Sequence, residues 1–269
     1  MERRDLAMLT RPRWIAFHLL VVIGIVAMVN LGLWQLRRLD QRQDFNDTVA
    51  ARLVADPVPL DDVLPADASI ADPIGVDEIE WRTASISGRY LPDAAIRIVN
   101  RSQNGRAGDN IVVPLDLGDG RTLLVNRGFV PLGVDDPPLP ATDVTVTGVL
   151  HPSQQRTGIA ARDPDRGALT EAQRVDLERL ADQMPGRLLP VYLDLTVSDP
   201  PETGGLPEPV ISPDLSEGNH LSYAIQWFIF SIAVAAGWVL AVRVSIRRTQ
   251  QQATDPPSSP TAEPLEASG

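Results

Sequence analysis

Cysteine and lysine are both missing from the 269 residues. The first absence excludes disulfides, thiolate metal sites, c-type haem attachment and cysteine nucleophiles together, so the core must hold the fold unaided. The second leaves arginine as the whole supply of fixed positive charge. Histidine is scarce as well, with His18, His151 and His220 as the full set. The chain has no H-E-x-x-H, no G-x-S-x-G, no phosphate-binding glycine loop and no G-x-G-x-x-G after a strand. Its adjacent carboxylates, Asp61–Asp62 and Asp135–Asp136, sit in proline-rich stretches where solvated charge is the expectation. No catalytic constellation emerges, and the chain is not expected to be an enzyme.

What is present is hydrophobicity concentrated in two places. Trp14 to Trp34 is a run of about 21 residues, roughly 31 Å as a helix, and Leu221 to Val242 is similar. Nothing between them sustains such a run, so two transmembrane spans are expected. The first exceeds the roughly 7–15 apolar residues of a cleaved signal peptide. The QLRRLDQRQDF that follows it offers no small-residue cleavage site. Arg3, Arg4, Arg11 and Arg13 precede the first run, and Arg243, Arg247 and Arg248 follow the second. Arg37, Arg38 and Arg42 weigh the other way. The balance puts both termini in the cytoplasm and the centre outside. The expected organisation is a cytoplasmic N-terminus (1–13), a first span (14–36), an extracytoplasmic domain (37–219), a second span (220–242) and a cytoplasmic tail (243–269). The region between the spans carries 17 arginines against 30 acidic residues. Such a surface keeps the domain soluble and repels nucleic acid.

Beyond the first span a polar helix continues to about Leu53, followed by an irregular Pro- and Asp-rich stretch. Alternation then predicts strands at WRTASISGRYL (81–91), AAIRIVNR (94–101), NIVVPLDL (110–117), RTLLVNRG (121–128), DVTVTGVL (143–150) and LLPVYLDLTV (188–197). The short turns LPD, GRAGD and GDG imply antiparallel hairpins. In LTEAQRVDLERLADQM (169–184), Leu169, Val175, Leu177, Leu180 and Met184 fall near helical spacing, which predicts one substantial helix closed by Pro185 and Gly186. The fold class is therefore a two-helix transmembrane hairpin plus a β-rich (α+β) extracytoplasmic domain, an antiparallel sheet or small open barrel. Residues 198–218 read as a loop. The tail TQQQATDPPSSPTAEPLEASG is low in complexity and expected to be disordered.

The second span opens with the polar stretch GNHLSYAIQWF, 218–228. His220, Tyr223 and Trp227 share one helical stripe, and Asn219, Tyr223 and Gln226 another. On the first span Asn30, Trp34 and Arg38 recur every four residues on one face. In a packed hairpin Asn30 and Gln226 would lie at similar depth and could pair as amides. Trp34, Gln35, His220 and Tyr223 would then meet at the outer interface. Two accounts stand open: an aromatic belt with an interhelical hydrogen bond, or a neutral imidazole among aromatics serving as an axial haem ligand. His18 lies near the opposite membrane face, so it and His220 cannot ligate one small cofactor within one monomer. His151, before Pro152, is expected at an exposed strand end.

Three stretches in order resemble the Surfeit locus protein 1 family of cytochrome c oxidase assembly factors. They are LGLWQLRR (31–38), a middle block, and NHLSYAIQWF (219–228). The middle block comprises GRY (88–90), Arg101, Gly108, Pro114 and LLVNRGFVP (123–131) with the Arg127–Gly128 pair. The chain departs from the family pattern after the first motif, where Asp40, Gln41 and Arg42 replace a Trp-Lys pair, and in its acidic, Arg-rich 162–182 segment. The resemblance implies a two-span protein of the bacterial plasma membrane that receives haem a or presents it to oxidase subunit I, with haem a synthase as a further partner. It implies His220 as axial ligand, with Tyr223, Trp227, Trp34 and Gln35 around the cofactor. Arg127 and Arg101 would meet haem propionates or tie the domain to the bilayer, the alternative for Arg127 being an intradomain salt bridge. A cofactor-free scaffold that stabilises oxidase assembly intermediates is the other reading.

Overall fold

The computed structural model describes residues 9–71, 75–158 and 161–254. Arg3 and Arg4, and the low-complexity tail from residue 255 onward, lie outside them. The chain divides into two compact units, 46–215 and the pair of flanking segments 1–45 and 216–269.

Two long helices, α1 (Pro12–Val54) and α2 (His220–Thr254), make up most of the described flanking segments, with the last residues of α1 belonging to 46–215. Both are long and apolar enough to cross a membrane. Proline at the first position of α1 suits a helix start, because its missing N–H is unneeded there. Helix α2 outruns its apolar core, which ends near Val242, and continues through Arg243 to Thr254. The first residues of the tail are therefore helical, where disorder was expected. In this unit Gly32, Leu39, Ala224 and Ser231 are buried. The Phe228 ring occupies the place a Gly32 Cβ would take, 2.8 Å from that position. Small residues at such a seam let two helices approach closely.

Residues 46–215 build one mixed eight-stranded sheet among the described residues. Its strands are β1 (Val58–Pro59), β2 (Thr83–Tyr90), β3 (Ile96–Gln103), β4 (Arg106–Asp116), β5 (Arg121–Pro131), β6 (Val144–Pro152), β7 (Glu171–Ala172) and β8 (Arg187–Asp199). The order is β1-β2-β6-β8-β5-β4-β3-β7. Two expected hairpins form. Asn104 and Gly105, both at positive φ, make the two-residue turn between β3 and β4, so the turn sits one residue earlier than the glycine spacing suggested. The GDG turn joins β4 to β5. The LPD stretch does not make a hairpin. Pro92–Ala94 form a short 3₁₀ turn, and β2 pairs instead with β6.

The sheet is not purely antiparallel, because β8 returns beside β5 in the same direction after a long crossover. Nor is it a closed barrel. It curls far enough for Arg89 and Tyr90 of β2 to pair with Asp116 and Leu115 of β4, and no further.

Both faces of the central strands are buried, which explains the unbroken apolar run of β5. Leu123 and Val125 enter one core cluster with Leu115, Val146 and Leu193. Leu124, between them, enters the other with Ile96, Ile98 and Val112. The expected helix at 169–184 is absent. Leu169, Val175, Leu177, Leu180 and Met184 do fill the second core, but from irregular chain holding β7 and a single helical turn at Leu177–Leu180. Side chains stand in for helical bonds there. Gln183 both donates to and accepts from the Leu169 backbone, and Asp176 Oδ1 accepts from Arg179 N–H.

Candidate functional site

Helix α2 begins where the Asn219 carbonyl accepts the Tyr223 N–H, 3.1 Å away. The next side chain, His220, is half-buried, and its Nδ1 lies 2.9 Å from Gln35 Oε1 of α1. With the amide oxygen accepting, Nδ1 carries the proton and Nε2 keeps its lone pair in the neutral ring. A side chain at residue 218 would start 3.8 Å from that Nε2, and Gly218, at φ +69, leaves the place clear.

A second histidine bond lies near the far end of the same pair. Trp238 Nε1–H donates to His18 Nδ1 at 2.8 Å, with the rings edge to face. His18 and Gln35 are 17 residues apart on α1, about 25 Å of helix. The two histidines serve separate ends of the hairpin.

The rest of the expected cluster does not assemble. Asn30 does not pair with Gln226. Its Nδ2 donates to the Val26 carbonyl of its own helix, and Gln226 is exposed. Trp34 and Tyr223 are about half exposed. Each helical residue turns by about 100° from the one before it, so Trp34 points well away from Gln35. Trp227 is half-buried and meets Phe230 edge to face. Of the outer-interface set, Gln35 and His220 touch. Among the described residues no three His, Asp or Glu side chains converge as a metal set.

In the sheet domain Arg127 is the extra residue of a β-bulge. Ile111 pairs with Gly128 and Val112 with Asn126, leaving Arg127 unmatched and re-aimed. It is not on a turn. Its guanidinium is almost fully buried, forks onto Glu202 at 2.6 and 2.8 Å, and donates to the carbonyls of Pro137 and Pro138. That is the intradomain ion pair, and it leaves no free face for a propionate. Gly128, at φ +127, lies against the Glu208 carbonyl, and Gly108 against the Val130 carbonyl and the Phe129 ring. Pro114 offers its carbonyl to the Leu91 N–H at 2.9 Å. Arg101 Nη2 donates to the Gln173 carbonyl at 2.9 Å. These motif residues hold the sheet and its edges together. The paired carboxylates are also less idle than expected. Asp61 binds Arg121 and Asp136 binds Arg97.

His151 is buried, not exposed. It stands on β6 opposite Tyr192 of β8, stacks on that ring at 5.3 Å, meets Trp81 edge on, and points Nε2 at Asp194 from 3.3 Å. Asn126 Nδ2 donates to the other oxygen of Asp194 at 2.8 Å, and Gln154 donates to the Tyr192 hydroxyl at 2.7 Å. Burial pushes the Tyr192 phenol far above its ordinary range, with the Asp194 charge adding to the shift. Sequence reasoning passed over this cluster. The signal was a lone polar residue inside an apolar strand, Asn126 in LLVNRGFV and Asp194 in VYLDLTV.

A model of the SURF1 family matches residues 22–232, from within α1 into α2. Uncharacterized SURF1-like proteins of Mycobacterium bovis and Mycobacterium tuberculosis are 30% identical over 264 residues, covering 95% of this chain and 93% of theirs. Surfeit locus protein 1 of Homo sapiens is 25% identical over 245 residues, 81% of this chain and 75% of that protein. The match runs through both helices and the sheet domain, and the chain belongs to the SURF1 family.

Proposed function

We propose that the chain is a plasma-membrane assembly factor for cytochrome c oxidase, with α1 and α2 as its spans. Its task is to hold haem a transiently beside His220 for delivery to subunit I. The observation that carries this is the His220–Gln35 contact. A metal-binding imidazole is commonly oriented by a hydrogen bond from its other ring nitrogen, and Gln35 gives His220 that orientation. Haem a, if bound there, would be held by His220 and would supply an iron able to take a neutral imidazole nitrogen. Gln35 aims the ring, and Gly218 keeps the approach to Nε2 clear. No bond-making step is required of the protein. Family membership supports a role other than catalysis.

The test is purification from cells able to make haem a, followed by absorption spectra and pigment extraction. His220→Ala should lose most of the pigment at equal protein level, and Gln35→Leu should lose part of it. Full pigment in His220→Ala would remove the ligand role. The exposed Trp34 and Tyr223 support a second reading, a scaffold that docks on oxidase subunits without cofactor. In that case the wild-type protein carries no Soret band, and Trp34→Ala impairs oxidase yield more than His220→Ala does.

A further inference from the structure

The sheet domain contains a cavity of about 300 Å³ that the His220 site does not use. Its walls come from β3, β5 and β8. Arg101 lines one side, and Asn126, Gln154, Tyr192 and Asp194 line others. The chain segment at 208–211 borders it. Phe129 and Glu208 exchange both backbone bonds, Gln103 donates to the Pro209 carbonyl, and Val210 and Ile211 present an apolar wall.

Arg101 is unlike its neighbours. Arg97, Arg106, Arg121, Arg127 and Arg174 each have a carboxylate partner. Arg101 is half-buried, has none among the described residues, and makes one hydrogen bond, to a carbonyl. Burial lowers its pKa, with the nearby Arg174 charge adding to the shift and the Asp194 charge opposing it. The backbone is bent to put it there. The β3–β4 register shifts between Ile98 and Arg101, and Asn100 takes φ 61, a left-handed conformation uncommon outside glycine. Bulges of this kind re-aim side chains next to functional sites. Asp194 also lines the cavity, held in place by Asn126 and His151. A half-buried carboxylate with two such partners keeps further capacity to accept a hydrogen bond.

We propose that this cavity binds a small organic acid with a hydrogen-bond donor on the carbon next to its carboxyl group, an α-hydroxy or α-amino acid. Its carboxylate sits on Arg101 and its donor on Asp194. A guanidinium fork matches a carboxylate, and the volume is at the small end of ligand pockets. The site is independent of the haem reading.

The test is calorimetric titration of the full-length protein in detergent with acetate, ethanolamine, glycine and lactate. Glycine or lactate should saturate, about tenfold tighter than acetate because of the added bond to a charged acceptor. Ethanolamine should not bind. Arg101→Gln should abolish binding, and Asp194→Asn should keep acetate but lose the preference for the second group. If Arg101→Gln fails to fold, Ile211→Trp fills the cavity from its apolar wall and should block binding alone. Absence of saturation with all four probes, equal binding of acetate and lactate, or unchanged binding in folded Arg101→Gln or Ile211→Trp overturns the proposal.

Discussion

Arg127 shows how one side chain can be read in two ways until its surroundings are known. Its side chain is 1% exposed and that of Glu202 21%. Removing one partner of a buried pair leaves the other charge uncompensated, typically for about 3–5 kcal/mol. Because Glu202 keeps some water, Arg127→Met should cost about 3 kcal/mol in denaturant unfolding of the domain. A double-mutant cycle with Glu202→Gln should show strong coupling, and additive losses would contradict the pairing. Glu208 gives a pH-dependent counterpart. Hydrogen bonding from Arg106 is the main cause that holds its carboxyl below the ordinary 4.5, with the Arg106 charge and Gln103 helping. A depressed carboxylate pKa contributes stability that is complete above 4.5 and fades as pH falls through the folded value. Exchange of the Phe129 N–H, which donates to the Glu208 carbonyl, should therefore speed up on acidification after correction for intrinsic rates. In Glu208→Gln that extra dependence should vanish.

At the scale of elements, glycine positions separate contact from mere presence. A Cβ at Gly32 would collide with the Phe228 ring, whereas one at Gly24 would meet nothing within 4 Å. Gly32→Leu should reduce pairing of the helices and Gly24→Leu should not. The absence of native cysteine allows this to be read without background, as disulfide yield between Gln35→Cys and His220→Cys. Equal yields would show that the Gly32 seam does not set the packing. Gly128→Ala combines a positive φ with a backbone carbonyl in the way, and should lower domain stability by about 2 kcal/mol or more.

The same scale shows what was legible beforehand. The strands were, because alternation between turn residues is a local signal. The 169–184 helix was misread. Its five apolar residues do face a core at near-helical spacing, yet the clamp from Gln183 to Leu169 exists only once the chain is folded. The Gln35–His220 contact was half visible, as two motifs at matching depth. The Asn30 bond to its own backbone was not, since a helical asparagine chooses between partners by packing. Arg101, Asn126 and Asp194 lie on three strands, and only the order β8-β5-β4-β3 brings them to one cavity. That order includes a parallel crossover, which no local pattern announces.

For the whole molecule, the two units make different demands. Residues 46–215 contain both core clusters and every sheet strand. Expressed without the flanking helices, this segment should remain soluble and unfold cooperatively by circular dichroism. Aggregation or a featureless thermal scan would mean that its core is incomplete. The arginines around the two apolar runs further predict cytoplasmic termini. Reporter fusions after Gly269 and at Gly133 should give opposite activities, and matching activities would refute the proposed topology.

The ends of the sheet domain touch. Asn46 Nδ2 donates to the Leu215 carbonyl at 2.6 Å, across 169 positions of chain. Two apolar helices that far apart along a flexible chain would find each other only after closing a loop, at an entropic cost of roughly 4–5 kcal/mol at that length. Here the closure is accomplished by the domain as it folds. Once 46–215 is formed, the chain leaves it at neighbouring points, and α2 meets α1 at the high local concentration of a short tether. Folding of 46–215 thus supplies the loop closure that the helix pair needs. A lesion in its core, such as Arg127→Met, should therefore loosen the Gln35–His220 contact without altering a residue of either helix.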